Sequence, residues 1–154
     1  MRIIPWETTQ VLVEYGPGVG TLTLEMLQYL RPEGRIVAIE QHATFVRHLR
    51  QSIHDPRLQV VHGSAEDIAR VVEHLRLPPL DCIVSGIPYS TIPAAQRDSI
   101  LRQSCRVLRR GGLFLVYQFT GTIVEQMECT FGAVQQYVEF RNFLPARIFS
   151  ACKR

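Results

Sequence analysis

Short runs of consecutive apolar, often β-branched residues alternate with longer amphipathic runs along most of this chain, and few folds accept that pattern. Residues 11–15, 35–40, 58–62, 81–85 and 113–118 are apolar at neighbouring positions rather than at every second one. Strands of that kind are covered on both faces, as in a parallel sheet. Between them, residues 21–30, 44–53, 65–75 and 94–108 carry helical spacing. Pro93 stands where a helix should start, and Gly34 and Gly111-Gly112 stand where helices should stop before a strand. Strand–helix repeats of this form require right-handed crossovers. The expected fold is therefore α/β, a doubly wound sheet of five parallel strands. The tail breaks the rhythm: 133–140 and 147–152 are strand-like and joined only by Arg141-Asn142-Phe143-Leu144-Pro145. That link is too short for a helical crossover, so a C-terminal antiparallel hairpin is expected. A length of 154 residues fits one domain, 1–154.

The loop after the first strand reads Glu14-Tyr15-Gly16-Pro17-Gly18-Val19-Gly20. In an open parallel sheet, ligands bind beyond the carboxyl ends of the strands near the switch point, which is where this loop falls. Glycines at alternate positions let main chain approach a ligand with no Cβ in the way. The spacing differs from the G-x-G-x-x-G that sets a pyrophosphate on a helix N-terminus. It suits a ligand without phosphate, and Glu14 is placed to face a cationic amino-acid group, directly or through water. Glu40, followed by Gln41, closes the second strand; a carboxylate there can accept from both hydroxyls of a ribose. The third strand ends in His62-Gly63-Ser64-Ala65-Glu66-Asp67, which puts polar groups and free amides where an adenine would lie. Each motif alone could be a tight turn or a capped helix. Three at successive strand ends, in this order, point to S-adenosylmethionine, with S-adenosylhomocysteine as product.

Ser85-Gly86-Ile87-Pro88-Tyr89-Ser90 follows the fourth strand, across the crevice from the glycine loop. Methylating an amine requires its lone pair in line with the methyl–sulfur bond. The Ser85 and Gly86 carbonyls are candidates to orient that nitrogen, and the Tyr89 ring to face its developing charge. The competing reading of the same residues is a proline turn with a packed tyrosine. Tyr117 and Gln118, at a strand end, are further candidates to contact the amine.

Other chemistries find little support. Cys82, Cys105, Cys129 and Cys152 are scattered with no C-x-x-C pair, and His42, His48, His54, His62 and His74 lack metal-ligand spacing, so no metal site is expected. No apolar run approaches the ~18 residues of a membrane span, and the first residues do not read as a signal peptide. A cytoplasmic protein is expected. The net charge of +3 permits an anionic partner without arguing for one. Arg97, Arg102 and Arg106 on the helix, the Arg109-Arg110 pair after it, and Lys153 and Arg154 could touch lipid or RNA phosphates, but a solvated helix face is the readier reading.

Taken together, Glu14–Gly20, Ala38-Ile39-Glu40, His62-Gly63-Ser64-Ala65, Ser85-Gly86-Ile87-Pro88 and the C-terminal Phe140-Arg141-Asn142-Phe143-Leu144-Pro145-Ala146-Arg147-Ile148-Phe149 resemble the bacterial phospholipid N-methyltransferases. The resemblance implies a Rossmann-like class I methyltransferase fold and transfer of methyl groups from S-adenosylmethionine to phosphatidylethanolamine. It also implies a phospholipid head group as partner, met at the inner membrane surface. The related ribosomal RNA adenine dimethylases carry Asn-Leu-Pro-Tyr or Asn-Ile-Pro-Tyr where this chain has Ser85-Gly86-Ile87-Pro88-Tyr89. An RNA adenine methyltransferase is accordingly one alternative, and a cofactor-binding fragment without catalysis another. The chain departs from the family in two ways. Ser64 stands where many relatives place an aspartate against the adenine amine, so that Glu66, Asp67 or main chain must substitute. Only ten residues precede the first strand, where the family has an amphipathic segment.

Overall fold

A computed structural model describes residues 3–118, 121–139 and 146–154. Its strands are β1 (Val11–Tyr15), β2 (Arg35–Glu40), β3 (Leu58–His62), β4 (Leu80–Ser85), β5 (Leu108–Gln118), β6 (Val134–Glu139) and β7 (Ala146–Cys152), and its helices are α1 (Thr21–Tyr29), α2 (Ala43–Ser52), α3 (Ile68–His74), α4 (Ala94–Val107) and α5 (Val124–Phe131). The strands form one sheet in the order β3-β2-β1-β4-β5-β7-β6. β1 to β5 pair in parallel, whereas β7 runs antiparallel to both β5 and β6. This is the class I Rossmann-like arrangement that strand–helix alternation and the antiparallel tail led us to expect. The link 141–145 lies outside the described residues.

Continuous apolar runs make strands here because both faces of the sheet are covered. In β1, Val13 and Tyr15 join the core beneath α3, α4 and α5, while Leu12 faces the opposite core with Met26, Leu27 and Ile4. Winding reverses between β1 and β4, whose neighbouring carboxyl ends send their loops apart and open a crevice. The functional site sits there.

Three details depart from the sequence reading. Gly111-Gly112 does not stop a helix: α4 ends at Val107 and β5 begins at Leu108. The register moves from Leu80↔Leu108 to Cys82↔Leu113, so 109–112 bulge out of the pairing, with Gly111 at φ +72°. Residues 65–75 split into a 3-10 turn, Ala65–Asp67, and α3. The reading also missed α5, which is held by packing: Phe131 stacks on Phe114 with ring centroids 5.1 Å apart, and Met127 is buried beside it. Burying such a side chain contributes roughly 2–3 kcal/mol, enough to stabilise a helix too short to persist alone. Among the described residues no helix is long and apolar enough to cross a membrane.

Candidate functional site

Beyond β1 the main chain turns through left-handed geometry at Gly16 (φ +67°), Gly18 (φ +56°) and Gly20 (φ +86°). The three glycines do different things. A Cβ on Gly18 would meet nothing within 4 Å, so its open side faces vacant space. One on Gly16 would come 3.4 Å from the Ile87 side chain, across the crevice. One on Gly20 would lie 2.8 Å from Leu49 and 2.9 Å from Ile53. Gly20 therefore lets the start of α1 pack against α2, and it does not line the cleft as the spacing had suggested.

The cleft beside this loop has a volume of about 350 Å³, the lower end of the range for small-molecule sites. Gly16 and Gly18 form one wall, Glu40, Gln41 and His42 the floor at the end of β2, and Gly63, Ser64 and Ala65 the third side. Gly86, Ile87 and Pro88 close it from β4. The structure thus unites Gly16, Gly18, Glu40, Gln41, Ser64, Ala65 and Gly86. Sequence reasoning missed Phe45 on α2 and Ile92, Gln96 and Ile100 on and before α4. Gln96 and Ile100 share a helical face by their four-residue spacing, but nothing in the sequence says that this face meets the third strand's loop.

Glu40 is 4% exposed and takes both edges of the site in hand. Its Oε2 accepts from the Gly18 N–H at 3.1 Å and its Oε1 from the His42 N–H at 2.9 Å. A carboxylate offers about four lone-pair positions, so capacity remains for a ligand's hydroxyls. Among the described residues, no lysine or arginine lines the cleft. A carboxylate floor without cations suits a positively charged, phosphate-free ligand, and the apolar Ile39, Phe45, Ala65, Ile87, Ile92 and Ile100 suit a flat ring. The residues present fit an adenosyl sulfonium.

Glu14 lies elsewhere. It is buried beneath α1, 1% exposed, accepting at 2.5 Å from the Thr23 hydroxyl, and it does not line the cleft. The reason is strand alternation: next to Tyr15 on one face, Glu14 must point to the other. Burial pushes its pKa up to about 7; the Thr23 bond opposes this and the Glu40 charge adds to it. An unfolded Glu titrates at 4.5. The folded chain therefore binds the proton more tightly, and stability associated with the neutral carboxyl, present below pH 4.5, is lost as pH rises through about 7. The gap corresponds to on the order of 3 kcal/mol. Thermal melts between pH 4.5 and 8.5 should show Glu14→Gln gaining on the parent as pH rises, with little difference at the acid end; parallel curves would refute this.

Tyr89 and Ser85 also depart from expectation. The Tyr89 ring is fully buried in the α3–α5 core, and its hydroxyl pairs with the buried Ser85 hydroxyl at 3.0 Å. Burial raises the phenol far above its ordinary range. Tyr89 thus anchors the loop from below and offers no face to a substrate; the packed-tyrosine reading is the right one. Neither Ser85, Tyr117 nor Gln118 lines the cleft. Gly86 does, and it is pressed close to the glycine loop: its N–H donates to the Tyr15 carbonyl at 2.8 Å, and a Cβ would fall 3.2 Å from the Gly16 carbonyl oxygen. Among the described residues no three His, Cys, Asp or Glu side chains converge to hold a metal ion.

Known proteins place this geometry. Residues 12–112 match the model of a family described as a methyltransferase domain. The ornithine lipid N-methyltransferase of Singulisphaera acidiphila is 30% identical over 115 residues, covering 74% of this chain and 60% of that protein. The ubiquinone/menaquinone biosynthesis C-methyltransferase of Escherichia coli is 25% identical over 131 residues, 84% of this chain and 50% of that one. The chain therefore spans about half to three-fifths of the length of these curated relatives. Among solved structures, Aeropyrum pernix fibrillarin in complex with S-adenosyl-L-methionine superposes with a TM-score of 0.70 at 19% identity, over 93% of this chain and 66% of that one. The chain belongs to the methyltransferase domain family, S-adenosylmethionine-dependent enzymes of the class I fold.

Proposed function

We propose that this protein transfers methyl groups from S-adenosylmethionine to an amine carried on a lipid, with the phosphatidylethanolamine head group as acceptor. The observation that carries the reading is the exposed main chain at Gly86, set between the cofactor cleft and solvent and tied to the glycine loop. Further support comes from the 30% identical relative named as an ornithine lipid N-methyltransferase. The motif set shared with phospholipid N-methyltransferases points the same way.

When bound, S-adenosylmethionine supplies a methyl group activated by the positive charge on its sulfur. Glu40 would accept from the ribose hydroxyls, and the bare main chain of Gly16 and Gly18 would face the cofactor. Gln41, Ser64 and Ala65 border the base. The acceptor nitrogen must arrive neutral, although alkyl amines titrate near ~10, and desolvation against Ile87 and Pro88 favours that form. The Gly86 carbonyl, the part of this loop that reaches the cleft, would then accept an amine N–H and help to orient the nitrogen lone pair. Held there, the sulfonium would supply a methyl group whose bonding pair stays with sulfur, and the methylated ammonium would release its proton to water. A lipid acceptor requires the cleft to work at a membrane surface.

The test is label transfer from radioactive S-adenosylmethionine to phosphatidylethanolamine vesicles, ornithine-lipid vesicles, phosphatidylcholine vesicles or RNA. Label should appear in lipid amines, and not in phosphatidylcholine, whose nitrogen is already quaternary. Label in RNA alone, or cofactor binding without any transfer, would overturn the lipid reading.

A further inference from the structure

Ser64, at the base end of the cleft, is already engaged: its hydroxyl accepts from the Glu66 N–H at 3.2 Å and caps the 3-10 turn. A different side chain reaches the same region from α4. Gln96 lines the cleft and donates through Nε2 to the Glu66 carboxylate at 2.7 Å. That bond settles which way the carboxamide points. A carboxylate only accepts, so the amide must present its NH2 group to Glu66; the flipped amide would set two oxygens against each other. The Gln96 carbonyl oxygen is therefore directed away from Glu66, and among the described residues it has no hydrogen-bond donor. The cleft that Gln96 lines is also bordered by Ala65, Ile92 and Ile100, apolar walls for a flat ring.

We propose that Gln96, with its orientation fixed by Glu66, is the residue that selects an amino-bearing base. Its carbonyl oxygen accepts from the exocyclic amine of an adenine ring. A 6-oxo ring would instead place carbonyl against carbonyl at this point and leave both oxygens without a donor. The inference rests on the cleft holding an adenosyl cofactor and adds to that reading the group that distinguishes the base. Glu66 acts through Gln96 as a positioning residue.

Calorimetric titration with S-adenosylhomocysteine and with its 6-oxo analogue, S-inosylhomocysteine, tests the selection without any need for turnover. The unaltered protein should prefer the adenine compound by about tenfold or more, since a site built to receive a hydrogen bond rejects an analogue that cannot make it. In Gln96→Leu the preference should shrink to within about threefold. Glu66→Ala, which frees the amide to turn, should shrink it as well while leaving Gln96 in place. A Gln96–Glu66 bond with only a structural role would lower both affinities together and leave their ratio intact. Equal binding of the two compounds by the unaltered protein overturns the inference whether or not the variants fold. So does a folded Gln96→Leu that keeps the full preference. Failure of the unaltered protein to bind either compound would instead bring down the cofactor reading of the cleft, and this inference with it.

Discussion

Replacing Glu40 with alanine is expected to lower affinity for S-adenosylhomocysteine by about a hundredfold or more, because hydrogen bonds to a charged acceptor contribute roughly 1.5–3 kcal/mol each and two ribose hydroxyls lose theirs. The effect has a second source. The same carboxylate holds the Gly18 and His42 amides at 3.1 and 2.9 Å, so its loss frees the wall and the floor of the pocket together. Glu40→Gln separates the two. One amide oxygen still reaches one of these N–H groups, but the NH2 end must face the other donor or the ribose. An intermediate loss, about ten- to thirtyfold, is expected there. Calorimetry gives the affinities and thermal melts give the structural share. If Glu40→Ala stays within about threefold of the parent, the ribose does not sit on this carboxylate.

The second large effect separates two glycines that look alike in the sequence. Gly18→Ala adds a methyl group to open space in the cleft, where the ligand would lie. Its folding cost is that of a non-glycine residue at φ +56°, roughly 1–2 kcal/mol. Affinity for S-adenosylhomocysteine should fall by at least about tenfold with a melting temperature only about 3–6 °C lower. Gly20→Ala carries the same backbone strain and also drives its methyl group to 2.8 Å from Leu49, which is fully buried. Overpacking adds about 1–3 kcal/mol, so the melting temperature should fall by roughly 10 °C. The surviving folded molecules should bind the ligand nearly as the parent does. Should Gly20→Ala abolish binding in a stable protein, or Gly18→Ala unfold the chain and spare affinity, the assignment of the two positions is wrong.

The alternation of apolar runs was enough to locate the first four strands to within a residue and the fifth from Leu113 onward, because parallel strands covered on both faces leave a trace of consecutive apolar positions. It also announced that the last two strands would be antiparallel, since their link leaves no room for a crossover. The site was legible in outline for a related reason: ligands of such sheets gather beyond the strand ends, and Glu40 and Ser64 occupy those ends. Residues that reach the cleft sideways from helices left no such trace. Phe45 and Gln96 look like ordinary members of amphipathic segments. Helix α5 escaped for want of strong local signals, since Met127 and Phe131 find their partners in β5 and its neighbours rather than along the chain.

Local sequence, then, determined the sheet, its winding and the position of the crevice, because hydrophobic period and turn chemistry act between residues close in the chain. It could not decide which face of β1 Glu14 would take, whether Tyr89 would look outward or into the core, or which glycine would meet a ligand and which a leucine. Those outcomes depend on what stands opposite each side chain once the layers close: Thr23 for Glu14, Ser85 for Tyr89, Leu49 and Ile53 for Gly20. Contacts between segments far apart in the chain exist only in the folded molecule, and they assigned each of these residues its part.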